Sequence, residues 1–197
     1  MNSGVLLTTG LFSLWNGGNI YDNAGQNNTQ QGDADLENRV TGEKTIDATA
    51  LEFDVFSLNG QLELVYQFGS EEYKEFVGAF NDGFMATIDG VLVTLVPDCS
   101  DIVAVNSVHP YIDASFPAIN EHLYLDNDLD IDPSVTLANQ PVKVEYDGMT
   151  IRLKAHAFVT PNTSHRIKIV IGDVNDGALD SGLFIGESSV RSINPQP

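Results

Sequence analysis

Two acidic stretches of this chain hold residue types that chemistry could use. FGSEEYKEFVGAFNDGF, from Phe68 to Phe84, contains Glu71, Glu72, Asn81 and Asp82, and GDVNDGALDSG, from Gly172 to Gly182, contains Asp173, Asn175, Asp176 and Asp180. Each follows an apolar run of strand length, QLELVYQ in one case and RIKIVI in the other. Two carboxylates about 4 Å apart repel by roughly 4 kcal/mol at an effective dielectric near 20, so such groups need a cation or altered protonation. Calcium takes about six to eight oxygen ligands from Asp, Glu, Asn and backbone carbonyls together. For an isolated pair of acids in a turn, solvation is explanation enough. Asn and Gly interleaved with acids directly after apolar strands is instead what an oxygen-ligand site needs, and calcium is the expected cofactor.

Other acids are weaker candidates. GDADLE, with Asp33 and Asp35, is faintly similar to a glycine-rich calcium repeat, but it occurs once and lacks the paired glycines. HLYLDNDLDIDPS alternates acids at Asp126, Asp128, Asp130 and Asp132. An EF-hand starting at Asp126 would need Gly and Glu where Ile131 and Leu137 stand, so this is not one.

Paired carboxylates also serve glycosidases, and Glu71 or Glu72 with Asp82 or Asp176 would be the pair to test. Against this, the chain has one Trp, Trp15, and no nucleophile-elbow, zinc-protease or phosphate-loop motif. His109, His122, His156 and His165 are scattered. The expectation is a protein that is not an enzyme. Twenty-eight Asp and Glu against nine Lys and Arg give a formal charge of -19, which repels nucleic acid and anionic membrane surfaces and favours a monomer. Cys99 is the single cysteine, so neither an internal disulfide nor a cysteine zinc cluster is available.

The elements that must position these acids read as strands. Period-two alternation recurs, as in Leu62, Leu64, Tyr66 and Phe68 opposite Glu63, Val65 and Gln67. Runs of this kind are VLLTT, TALEFDVFS, QLELVYQFG, GFMATIDG, VLVTLV, DIVAVNSV, VTLA, VKVEY, TIRLKAHAFV, HRIKIVIGD and GLFIGESSV. No window has capped helical periodicity, although EEYKEFV suits one short helical turn. Strands without crossover helices predict an all-β, antiparallel two-sheet β-sandwich, jelly-roll-like, with long calcium-binding loops. Loops gather at the ends of such a sandwich, so acids about a hundred positions apart can converge. Residues 1–190 are expected to form one domain and residues 191–197 a linker stub, within a longer chain. No stretch has the form of a secretory signal or the length of a membrane span, so direct membrane insertion is not expected.

GVLLTTG, FGSEEYKEFVGAFNDGF, LYLDND and YDGMTIRLKAHAFVTPNTSHRIKIVIGDVNDGALDSGLFI, in that order, resemble the successive signatures of the choice-of-anchor L family of bacterial surface proteins. Within it, the chain most resembles the peptide-binding domain of large RTX adhesins. The resemblance implies an extracellular, calcium-stabilised module of a secreted adhesin at the bacterial cell surface. It also implies that Glu71, Glu72, Asn81 and Asp82 share ions with Asp173, Asp176 and Asp180. The ligands it implies are peptide or protein C-terminal ends on a host or neighbouring cell, in attachment and biofilm formation. A calcium-dependent carbohydrate-binding module is the alternative. Two departures are Lys74, where the family often has Pro, and an insertion from Ile112 to Pro133. Asp126, Asn127 and Asp128 then read either as a ligand-side calcium loop walled by Tyr111 or Tyr124, or as part of a solvated insertion.

Overall fold

The computed structural model describes residues 3–11, 18–19, 21, 23–40, 43–128 and 142–194. Trp15, Asp130, Asp132 and the run VTLA lie outside them.

Strands β1 (Gly4–Thr8), β2 (Thr45–Ser57), β3 (Gln61–Ser70), β4 (Gly83–Ile88), β5 (Val91–Leu92), β6 (Tyr124–Asp126), β7 (Gly148–Thr150), β8 (Leu153–Phe158), β9 (Thr163–Val174) and β10 (Ser181–Ile193) form two antiparallel sheets packed as a sandwich. One sheet has six strands in the order β1-β10-β3-β7-β6, with β8 also paired to β3, and the other has the order β2-β9-β4-β5. Each sheet turns its apolar face inward. Leu62, Leu64, Tyr66 and Phe68 of β3 meet Phe84, Ala86 and Ile88 of β4 and Ile167, Ile169 and Ile171 of β9 in one buried core. Phe84 lies edge-on to Tyr66 at 4.9 Å between ring centroids and stacks on Phe68 at 6.0 Å, so an aromatic column joins the sheets. This is the face expected from the alternation in β3.

Several runs behave differently. DIVAVNSV is not a continuous strand; it makes single bridges through Ile102 and Ala104 and then a 3-10 turn over Val105–Ser107. VKVEY is not a strand among the described residues, although Val144 and Tyr146 are buried. GDADLE carries the short helix α1 (Ala34–Glu37), because the Asp33 carboxylate caps it by accepting from the N–H groups of Asp35 at 3.0 Å and Leu36 at 3.1 Å. β10 runs on to Ile193, past the boundary expected near residue 190, with Ser192 opposite Leu62 and Ile193 opposite Gln61.

Glu63 is the buried charged residue of β3. It sits buried opposite His156, with Nε2 at 2.9 Å, and also holds Arg191, so its carboxyl is pushed down to about 2, first by the His156 hydrogen bond.

β4 and β5 are joined by Asp89-Gly90, both at positive φ, 51° and 80°, the pairing a tight hairpin favours. Asp89 also accepts from His165 Nδ1 at 2.6 Å, which raises the His165 pKa and lowers that of Asp89. A histidine raised above its ordinary 6.5 contributes stability that is complete below that value and is lost as pH rises through the folded value. The lowered Asp89 contributes above its ordinary 3.8 and loses this as pH falls through its own folded value. The pair therefore works best between those two ordinary values. In an NMR titration, Asp89→Asn, which keeps a residue suited to positive φ, brings the His165 midpoint down towards 6.5.

Candidate functional site

One end of the sandwich collects the C-termini of β1, β3 and β9 and the N-termini of β2, β4, β7 and β10, as the pairs Thr8 with Gly182, Ser70 with Ser181, Ser70 with Gly148, Thr45 with Val174 and Gly83 with Gly172 show. All of these strand ends except that of β1 carry an acid on or near them. Glu71 and Glu72 follow β3, Asp82 precedes β4, Asp173 lies in the last turn of β9, and Asp180 precedes β10; all five are buried. Antiparallel pairing across two sheets thus drives acids far apart in sequence into one volume.

Asp82 is fully bonded. Its Oδ1 accepts from Val174 N–H at 2.8 Å and its Oδ2 from Ser181 Oγ at 2.8 Å, and its backbone carbonyl accepts from Val105 N–H at 2.9 Å. The others keep orphaned oxygens: Glu71 Oε1, Glu72 Oε2, both carboxylate oxygens of Asp173, and Asp180 Oδ2 have no hydrogen-bond partner. None of these four acids makes an ion pair with a Lys, Arg or His among the described residues.

The electrostatic consequence is large. Burial, reinforced by Asp147 and Glu145, pushes Glu71 up to about 11. Burial with repulsion from Asp82 and Asp176 takes Glu72 to about 9. Burial and the neighbouring Asp82 raise Asp173, and burial takes Asp180 to about 6. Unlike Glu63, these groups lack a cationic partner to keep them ionised.

A loop over the end of the sandwich lends them backbone donors. The N–H groups of Ala24, Gln26 and Asn28 bond Glu71 Oε2 at 3.3 Å, Asp180 Oδ1 at 2.8 Å and Asp47 Oδ2 at 2.8 Å. Gln30 N–H bonds the other oxygen of Asp47, and Tyr21 N–H bonds Glu145 at 3.0 Å. The segment from Ala24 to Gln30 is a strap laid across the carboxylates, bonding them through its N–H groups at alternate residues. Glu71, Glu145 and Asp180 line a small cavity with Thr8 and Tyr146.

Asp47, Glu145 and Asp147 are buried members of this end that sequence reasoning missed. The strap reaches them through Asn28, and the residues ahead of it through Tyr21 and Asn19.

The remaining candidates have other positions. Asp176 is half-buried and close enough to repel Glu72, whereas Asn175 is exposed at positive φ. Asn81 turns its Oδ1 to Asn106 N–H at 2.8 Å. Asp33 and Asp35 each bond Lys168 Nζ at 2.7 Å. Lys74 pairs with Asp126 at 3.0 Å and with the buried Asp128 at 3.2 Å, so the residue that departs from the resembled pattern neutralises acids of the insertion. Asn127 is buried, donating to Tyr146 O at 2.8 Å and accepting from Val142 N–H at 3.0 Å. Tyr124 packs edge-on against Tyr73 at 5.1 Å, and Tyr111 is exposed.

The chemistry of the orphaned oxygens fits a hard cation: they are carboxylates, held dry, with unused lone pairs. Among the described residues no three His, Cys, Asp or Glu side chains form a ready-made ligand group, so such an ion would draw on pairs of carboxylates together with backbone carbonyls.

The choice-of-anchor L domain family matches residues 1–191, and the chain belongs to that family. Membership makes it a module of a cell-surface or extracellular protein. No curated protein and no solved structure matches it. Among the described residues no helix is long and apolar enough to cross a membrane.

Proposed function

We propose that this domain is a calcium-dependent adhesion module of a larger secreted adhesin, which binds the C-terminal ends of peptides or proteins on a partner cell surface and performs no catalysis. The observation that carries the calcium reading is the set of orphaned, buried oxygens on Glu71, Glu72, Asp173 and Asp180. Glu71 with Asp180, and Glu72 with Asp176, are the pairs that would hold ions together with backbone carbonyls, and Asp173 lies beside Asp180. Bound calcium supplies positive charge that satisfies these oxygens and reverses the local sign of a strongly acidic surface. The strap residues Ala24, Gln26 and Asn28 then fix the carboxylates from the outer side, so the loops of this end form a rigid platform. Support for the peptide ligand is the likeness of the core strings to adhesin peptide-binding domains, together with the need of an approaching carboxylate for a surface whose charge has been reversed.

The test is calorimetric titration with an N-acetylated tetrapeptide, as the free acid and as the C-terminal amide, in calcium and in EDTA. The expected result is saturable heat from the free acid and not from the amide, with a part of it present in calcium and lost in EDTA. Equal binding of acid and amide would remove the terminus from the reading. Binding on a glycan array with no peptide response would make this a carbohydrate-binding module.

A further inference from the structure

Away from the carboxylate cluster, a cleft of about 440 Å³ opens between α1, the turn before β4 and the 3-10 turn at Val105–Ser107. Its volume is that of a small-ligand site. Its lining is mainly polar, but two lining residues, Ile102 and Ala104, are anchored in a second core cluster that also holds Leu36 and Val40. Those last two residues flank Arg39 in sequence and hold its backbone in place, with Arg39 N–H bonded to Leu36 O at 2.8 Å.

Arg39 is the cation that lines this cleft, and with Arg152 it is one of two arginines that make no ion pair among the described residues. Lys44, Lys74, Lys154, Arg166, Lys168 and Arg191 all pair with carboxylates in this acidic protein. Arg39 makes no ion pair among the described residues, although Glu43 and Asp101 line the same cleft. Two amides, Asn81 and Asn106, line the same cleft. Asn81 Oδ1 accepts from Asn106 N–H at 2.8 Å, and Asn106 Oδ1 accepts from Gly78 N–H at 2.6 Å. With both oxygens committed, each amide has its NH₂ group left to offer.

We infer that this cleft is a carboxylate-binding site, in which the Arg39 guanidinium and the amide groups of Asn81 and Asn106 receive a small, singly charged, planar anion. A guanidinium fork matches the two oxygens of a carboxylate. A phosphate dianion does not suit a cleft with one cation and two acids. Phe116, partly exposed, packs on the lining residue Gly78, where a Cβ would meet its Cε1 at 2.0 Å. The cleft needs no calcium. Where the carboxylate is a peptide terminus, it deepens the adhesion reading, on which that part of the inference rests, by supplying the receptor.

The experiment is an NMR titration of amide and side-chain NH₂ signals with N-acetyl-alanyl-alanine as the free acid, with its C-terminal amide, and with glucuronic acid, each in EDTA and in calcium. The expected result is saturable movement of the Arg39, Asn81 and Asn106 signals with a carboxylate and not with the amide. Arg39→Gln weakens it about tenfold, the loss of one charge-assisted interaction, and Arg39→Lys restores part of it. Unmoved Leu36 and Val40 signals show that the variants keep their fold. A response to the peptide acid alone assigns the site to peptide termini, and one to glucuronate alone assigns it to acidic sugars. Equal movement by acid and amide, no movement with either acid, or no effect of Arg39→Gln would overturn the site. Binding here without any calcium-induced stabilisation would leave the cleft standing and remove the calcium reading. Calcium stabilisation without movement at Arg39 would do the reverse.

Discussion

Millimolar calcium raises the thermal unfolding midpoint of this domain by about 5 to 10 °C for each ion bound, relative to excess EDTA. An ion present at about 100 times its dissociation constant and bound only to the folded state adds about 2.7 kcal/mol, and a domain of this size gains about 2–4 °C per kcal/mol. The sites are the orphaned oxygens of Glu71, Glu72, Asp173 and Asp180. Asp173→Asn provides an internal control with opposite signs in the two buffers. In EDTA it removes a buried carboxyl crowded by Asp82 and raises the midpoint; in calcium it removes a ligand, and the calcium-induced rise shrinks. Differential scanning calorimetry of both proteins in both buffers reads all four values. A rise that sodium chloride of equal ionic strength reproduces would reduce the effect to screening of a -19 chain and remove the ion sites.

Phe84→Ala lowers stability by about 3–5 kcal/mol, the range for deleting a fully buried aromatic side chain. Phe84 is 0% exposed on β4 and touches Tyr66 and Phe68 of the opposite sheet, so its loss opens a void at the contact between the two layers. The thermal midpoint falls by roughly 6 to 20 °C, at about 2–4 °C per kcal/mol. Urea unfolding in EDTA and in calcium should show the same deficit in both, because Phe84 packs in the core and bears no ligand. Phe158, 79% exposed at the end of β8, is the contrast: Phe158→Ala stays within about 0.5 kcal/mol of the parent. A deficit for Phe84→Ala that vanished in calcium would place Phe84 in the ion site rather than in the core.

The strand-forming segments were legible because alternation is a local signal. Leu62, Leu64, Tyr66 and Phe68 turn the same way whatever else the chain does, and the structure buries all four. Where alternation was interrupted, legibility failed. DIVAVNSV has the composition of a strand, but Ser107 Oγ accepts from Ala104 N–H at 2.9 Å and closes a tight turn in the middle of it. In GDADLE a single side chain decided the outcome, since the Asp33 carboxylate that suggested a ligand caps α1 and holds Lys168.

For the site, residue types and their place after strands were enough to single out Glu71, Glu72, Asp82, Asp173 and Asp180, which the structure brings to one end of the sandwich. Nothing local could separate them by role. Asp82 is satisfied by Val174 and Ser181, whereas Asp173, from the same end, keeps both oxygens bare. That difference arises from neighbours about a hundred residues away.

Periodicity, composition and charge, which need only neighbouring residues, determined from the sequence alone that this is an antiparallel β protein with a large excess of acid placed at its strand ends. The tertiary structure decided which acids are buried, which are paired, and that Asp47, Glu145 and Asp147 join the cluster while Asp33 and Asp35 bond Lys168. It also left Arg39 without an ion pair among the described residues, in a cleft that Asn81 and Asn106 line. The physical reason is that burial and pairing are properties of a volume. Strand order assembles that volume from distant segments, and one-dimensional spacing does not encode it.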